Sequence, residues 1–383
     1  MTESIPTAPH AKRMPHRIEH LGRELVDEYA WLQDKIDPEV ISYLEAENDY
    51  AEAMLQHTQL LQEQLFQEMK ARIKEDDASV PEPFGEYAYY WRMEAGRQYR
   101  VFCRRQNEPE ADEEVLLDEN ALAEGKSYCR VAVFEPSPDN TLLAYAVDTT
   151  GAWVFDLYIQ DLRTGQLVNG PIPNTAWTVA WATDCCTLFY SVFDDAHRAF
   201  KLFRHKVSDD PKHDVLVHHE SDEAYHLQVN RTRSGGFILL TLRSMSTTEV
   251  RSLPADQPLG EFQILEPRRP WVEYYVEHHG DRFLIRTNHE AENFKLVAAP
   301  VGSPGREAWQ EILPHRKDTL LEGIDLFQDH LVAYERKEGL PQIRISSPDG
   351  RSGVHIDEKR PKRVRVPYPF RDNVEGICST QGG

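Results

Sequence analysis

Hydrophobic and polar positions follow two regimes along the chain, with the change near residue 80. Residues 39–80 contain neither Gly nor Pro, and Leu61, Leu65, Met69 and Ile73 recur every four residues. That spacing places one apolar stripe along a helix face. Asp37 followed by Pro38 reads as an N-cap with proline in the first helical position. One long helix or two stacked helices are expected, with a break at QHTQ where Thr58 is placed to cap a second helix. An apolar face of this kind requires a partner surface.

From Phe84 onward the pattern becomes short alternating runs separated by turn residues, which predicts strands. The runs repeat. FDLYIQD, FKLFRHK, TEVRSLP, FKLVAAP and PQIRISS bring Leu157, Leu202, Val250, Leu296 and Ile343 into register, in steps of 45, 48, 46 and 47 residues. Three further strand-like runs accompany each of these. Four strands in a period of about 45 residues predict β-propeller blades. Six are expected, at 85–118, 129–172, 176–219, 224–267, 271–313 and 319–357. The fold class is therefore mainly β, a propeller preceded by a helical arm: 1–80 the arm, 81–357 the propeller and 358–383 a divergent tail.

Charge narrows the set of partners. The 64 acidic residues exceed the 43 basic ones, for a formal charge of −21. Nucleic acid, which demands a basic face, is disfavoured; solubility alone accounts for the charge, and cationic ligands are compatible with the field. No run of eighteen apolar residues predicts a membrane span, and MTESIPTAPHAKRMPHR lacks a secretory core, so a cytoplasmic location is expected. Cys103, Cys129, Cys185, Cys186 and Cys378 are odd in number and show no C-x-x-C spacing. Buried free thiols are expected, with Cys185 and Cys186 on opposite faces of a strand.

Several longer segments carry a resemblance: DEYAWLQD, YYWRMEAGRQYRVFCRR, LLDENALAEG, SPDNTLLAYAVDTTGAWVFDLYIQDLRTG, TLFYSVFDDAHRAFKLFRH, VEYYVEHHGDRFLIRTNHEAENFKLVAAP and PHRKDTLLEGIDLFQDHLVAYERKEGLPQIRI. From about residue 7 to about residue 356 the chain resembles the prolyl oligopeptidase family of serine peptidases, and within it the oligopeptidase B branch. The resemblance implies a seven-bladed propeller over an α/β-hydrolase domain, with the helical arm packed on that domain. It also implies cleavage of short peptides after Lys or Arg, with the catalytic Ser, Asp and His in the hydrolase domain.

No catalytic, cofactor-binding or metal-ligating residue is assigned from these 383 residues. The nucleophile elbow G-x-S-x-G, a tight strand-to-helix turn, does not occur. GKSYC (125–129) lacks its second Gly, and GRSGV (350–354) has it one residue early, so Ser352 reads as part of a turn. Ser379 in ICSTQGG has no preceding Gly and four residues after it. His218, His219 and Glu220, and His278, His279 and Asp281, resemble ligand clusters. Neighbours on a strand point to opposite faces, which favours structural or surface roles. The acidic run PEADEE (109–114) reads as a solvated loop. The segment from residue 358 is basic and lacks alternation, and a frame change or truncation near 357 is the expectation. Three readings follow: the substrate-gating propeller of an oligopeptidase whose hydrolase partner domain is missing, a free-standing propeller that binds peptides or proteins, and an enzyme with an unrecognised propeller site.

Overall fold

The computed structural model describes residues 7–108, 110–351 and 353–356. The chain divides into two compact units at Glu75 and Asp76.

The first unit opens with a hairpin of strands His16–His20 and Arg23–Asp27, in a stretch read from sequence only as an arm. Helix α1 (Pro38–Leu55) begins where Asp37 accepts the backbone N–H of Glu39 at 2.8 Å. The chain breaks into a 3-10 turn at Gln56–Thr58 and continues as α2 (Gln59–Ala71). Thr58 does not cap α2. Its hydroxyl donates back to the Leu55 carbonyl at 2.6 Å and accepts from the Gln62 amide at 2.7 Å. The break therefore comes from a local back-bond, which competes with the helical pattern. Leu61, Leu65, Met69 and Ile73 stay between 46% and 65% exposed.

The second unit is mainly β. It is a succession of four-stranded antiparallel sheets: 82–118, a seven-stranded sheet at 130–219, then 226–266, 274–313 and 319–356. The long strand Leu167–Trp181 pairs with Phe155–Asp161 through its first half and with Thr187–Phe193 through its second. The seven-stranded sheet is therefore two four-stranded units sharing one strand, here termed the second and third sheets. Strand Gly353–Ile356, hard to discern from sequence, completes the sixth sheet by pairing with Ile343–Ser346. The tail expected at 358–383, with Cys378 and Ser379, lies outside the described residues, as does Ser352.

The cores lie between successive sheets. One hydrophobic cluster joins the first and second sheets, a large one the second, third and fourth, and two more the fourth to the fifth and the fifth to the sixth. The repeat register marks this core. Leu157, Leu202, Val250 and Leu296 are at most 1% exposed. Ile343, the same position in the sixth sheet, is only half-buried. Among the described residues, no core cluster draws on both the sixth sheet and the first.

The structure departs from two expectations. Cys185 and Cys186 stand in a turn, not a strand: Cys185 has φ +55°, and Asp184 accepts the N–H groups of Cys186 and Thr187. Cys186 is exposed and Cys185 half-buried, so among the described residues only Cys103 and Cys129 match the expected buried thiols. The acidic run is not simply solvated. Glu113 accepts from the Tyr90 hydroxyl at 2.6 Å and Arg92 Nε at 3.0 Å, and Glu114 from the buried Arg104 at 2.7 Å. Burial pushes the Glu113 carboxyl up, but these donors outweigh it and hold it below its ordinary value.

Candidate functional site: a cavity at the ends of the first strands

Each of the six sheets sends the end of its first strand, or the turn just beyond, to one cavity of about 310 Å³. The first sheet supplies Glu82, Phe84 and Tyr89, the second Phe134 and Glu135, and the third Trp181. The fourth supplies Arg231 and Arg233, the fifth Glu277, and the sixth Asp325 and Leu326. First strands meet at one cavity because they are the inner edges of sheets that pack face to face around a common centre.

Turn chemistry shapes the rim. SPDN closes on Asp139, which accepts from Ser137 and Thr141, with Asn140 at φ +61°. In the fourth sheet Gly235 takes φ +73°, and a Cβ there would come within 3.2 Å of the Arg231 guanidinium. The glycine thus provides both the left-handed turn and the space in which Arg231 bonds the Gly235 carbonyl, at 2.8 Å and 3.0 Å.

A chain of side-chain hydrogen bonds joins neighbouring sheets around this rim. Tyr89 donates to Asn140 at 2.7 Å, linking first to second, and Trp181 Nε1 donates to the Glu135 carbonyl at 2.9 Å, linking second to third. Arg231 reaches Thr183 at 3.0 Å, linking third to fourth. Ser234 lies 2.8 Å from His278 Nδ1, and His279 Nε2 lies 2.8 Å from the Gln328 carbonyl, carrying the chain through the fifth sheet to the sixth. His278 and His279 therefore act as ties between sheets; burial holds the His278 pKa below its ordinary value.

Of the other motif residues, none of which lines the cavity, His218 and Glu220 belong to an ionic network. Arg268 donates to Glu220 at 2.7 Å and Glu249 at 3.2 Å, and lies 4.1 Å above the Tyr225 ring. Arg251 bonds Glu249 at 2.8 Å and approaches His218 Nδ1 at 3.4 Å. Burial, then the Arg251 charge, pushes the His218 pKa down to about 4. His219 packs edge-on against Phe200, and the Asp281 carbonyl receives the Val301 N–H. No three His, Cys, Asp or Glu among the described residues gather closely enough to hold a metal ion.

Residues not singled out from sequence form a second polar group. His205, fully buried, places Nδ1 2.7 Å from Asp214, whose other oxygen accepts the Tyr190 hydroxyl at 2.8 Å. The group resembles part of a relay, but its burial keeps it from a substrate. Burial also pushes the Cys103 thiol up to about 12 and the Cys129 thiol to about 11, so neither is a thiolate nucleophile near neutral pH. Ser127 of GKSYC lies exposed in a loop that leads into a strand, not a helix.

No helix among the described residues is long and apolar enough to cross a membrane. The chain is 38% identical over 370 residues to dipeptidyl aminopeptidase BI of Pseudoxanthomonas mexicana, covering 91% of this chain and 50% of that protein. It is 33% identical to protease 2 of Moraxella lacunata, covering 88% and 50%. Among solved structures, oligopeptidase B from Leishmania major superposes with a TM-score of 0.85 at 28% identity, covering 93% of this chain and 54% of that one. Oligopeptidase B from Trypanosoma brucei, with covalently bound antipain, gives 0.83 over the same shares. The chain thus spans about half the length of the curated relatives it matches. The family model for the prolyl oligopeptidase N-terminal β-propeller domain matches residues 9–367, beyond residue 357 where the repeat was expected to give way. By that match and those identities, the chain belongs to the N-terminal β-propeller domain family of the prolyl oligopeptidases.

Proposed function

We propose that this chain is the substrate-gating part of an oligopeptidase B-like serine peptidase, acting with an α/β-hydrolase domain on short peptides cut after Lys or Arg. The observation that carries the reading is the cavity at the inner ends of six sheets. At about 310 Å³ it has room for a short run of side chains and none for a folded domain. Its lining includes four carboxylates and two guanidiniums, Glu82, Glu135, Glu277 and Asp325 against Arg231 and Arg233, an excess of negative charge that favours basic peptides. In this reading residues 1–80 form the arm whose α2 stripe rests on the hydrolase domain, residues 81–357 the propeller, and a seventh sheet fills the sector between the sixth and the first. Alone, the chain has no hydrolytic activity.

The test is to mix the purified chain with the half of the Pseudoxanthomonas relative that this chain does not match, and follow cleavage of Lys- and Arg-containing peptides of graded length. Cleavage restricted to short peptides when both parts are present supports the proposal. Equal cleavage of short peptides and of an unfolded protein, or turnover by the chain alone that a serine-directed inhibitor abolishes, refutes it. The free-standing binding module draws support from the same charged and aromatic lining. It would bind basic peptides with no hydrolase present and leave the α2 stripe dispensable.

A further inference from the structure

We infer that Arg233 is a releasable clamp across the rim of the cavity, holding the first and sixth sheets to the fourth. Arg233 lies in the first turn of the fourth sheet, just beyond strand His226–Arg231. Its Nη2 is 3.6 Å from Glu82 Oε1, on the first strand of the first sheet. Its Cζ lies 4.1 Å over the ring of Phe327, in the first turn of the sixth sheet. Its backbone N–H points at Glu277 of the fifth sheet at 3.5 Å. One side chain thus meets the first and sixth sheets, the pair that shares no core cluster among the described residues.

The physical character of these contacts makes the clamp releasable. The ion pair is longer than a hydrogen bond, and both partners keep water contact, at 31% and 15% side-chain exposure. Such pairs are weak and salt-screened, and a cation over a phenylalanine face adds a comparably small attraction. A guanidinium is suited to the post because its flat face rests on a ring while its edge meets a carboxylate, which an ammonium cannot do. The consequence for peptides rests on the gating reading above: a chain entering the rim would part Arg233 from Glu82 and expose both charges to itself.

Hydrogen exchange on the full chain tests the clamp without hydrolase or substrate, so its outcome is separate from that of the gating reading. In R233M, and in wild-type protein at high salt, amides in 82–85 and 326–330 should exchange roughly five- to tenfold faster. R233K, which keeps the charge but loses the stack, should fall between R233M and wild type. Strand Thr187–Phe193 of the third sheet should be unchanged, and so should the melting temperature. Unaltered exchange at the two segments in R233M would overturn the inference. So would acceleration spread over all sheets with a lowered melting temperature, which marks Arg233 as a structural residue.

Discussion

His218 and Arg268 show how single side chains hold the third and fourth sheets together. His218 Nε2 is buried without a hydrogen-bond partner, and the depressed pKa follows from burial and from Arg251. The ring is neutral in the folded chain while the unfolded chain takes up a proton between the ordinary value of 6.5 and about 4. Its contribution to stability is therefore full above pH 6.5 and is lost as pH falls toward 4. The loss should reach about 2 kcal/mol, reduced from the full linkage because the ring keeps some contact with water. Urea melts of H218L across that window should show a flatter profile than wild type. Arg268 carries more: R268M leaves the buried Glu220 without its cation and Glu249 with Arg251 alone, and should cost about 3 kcal/mol. The sequence favours a structural or surface role for His218, His219 and Glu220, and the structure agrees, but the partners that define the role are not legible there. What gives them meaning is Arg251 and Arg268, more than thirty residues away. Cys185 and Cys186 depart from expectation for the opposite reason: a local turn set by Asp184 overrides the strand-like composition around it.

At the scale of elements, the 46-residue period was readable because a repeated sheet must bury the same position each time. Leu157 and Ile343 hold that position in the second and sixth sheets and differ in what covers them. L157A should cost about 3 kcal/mol, since it opens a cavity in a closed core. I343A should cost about 1 kcal/mol, since water already reaches the side chain. Equal losses in chemical denaturation would show that the sixth sheet is as well covered as the second. The inner strands were legible as elements, yet their convergence was not. Arg231, Arg233, Glu277 and Asp325 are ordinary charged residues at strand ends until topology brings them to one cavity. The hairpin at 16–27 leaves no signal in the sequence because its strands, five residues each, are almost wholly exposed and show no buried alternation. In α2, where the stripe was plain, replacing Leu61, Leu65, Met69 and Ile73 with Gln should change helix stability by less than about 0.5 kcal/mol each. Urea melts followed by circular dichroism measure this, and a large loss would mean the stripe is covered.

At the scale of the whole molecule, a charge of −21 opposes apolar surface that seeks cover. The sixth sheet carries Tyr334, Ile343 and Ile345 half-buried, and the α2 stripe is exposed as well. Apolar faces and strand edges of this kind promote association. Like charge resists it over a range set by the Debye length, about 10 Å at 0.1 M salt. The balance gives a direction. Raising salt should increase the mean mass in light scattering, because screening removes repulsion and leaves the apolar attraction intact. Oligomers held by ion pairs would respond in the reverse sense and dissociate. The two apolar sources separate by substitution. I343K with I345K should return the protein to monomer if the sheet flank is the contact, whereas the α2 glutamine variant should do so if the helix is. A monomer at every salt concentration in the unaltered chain would mean that both surfaces are covered within the chain itself, and the need for a partner along α2 and the sixth sheet would fall away.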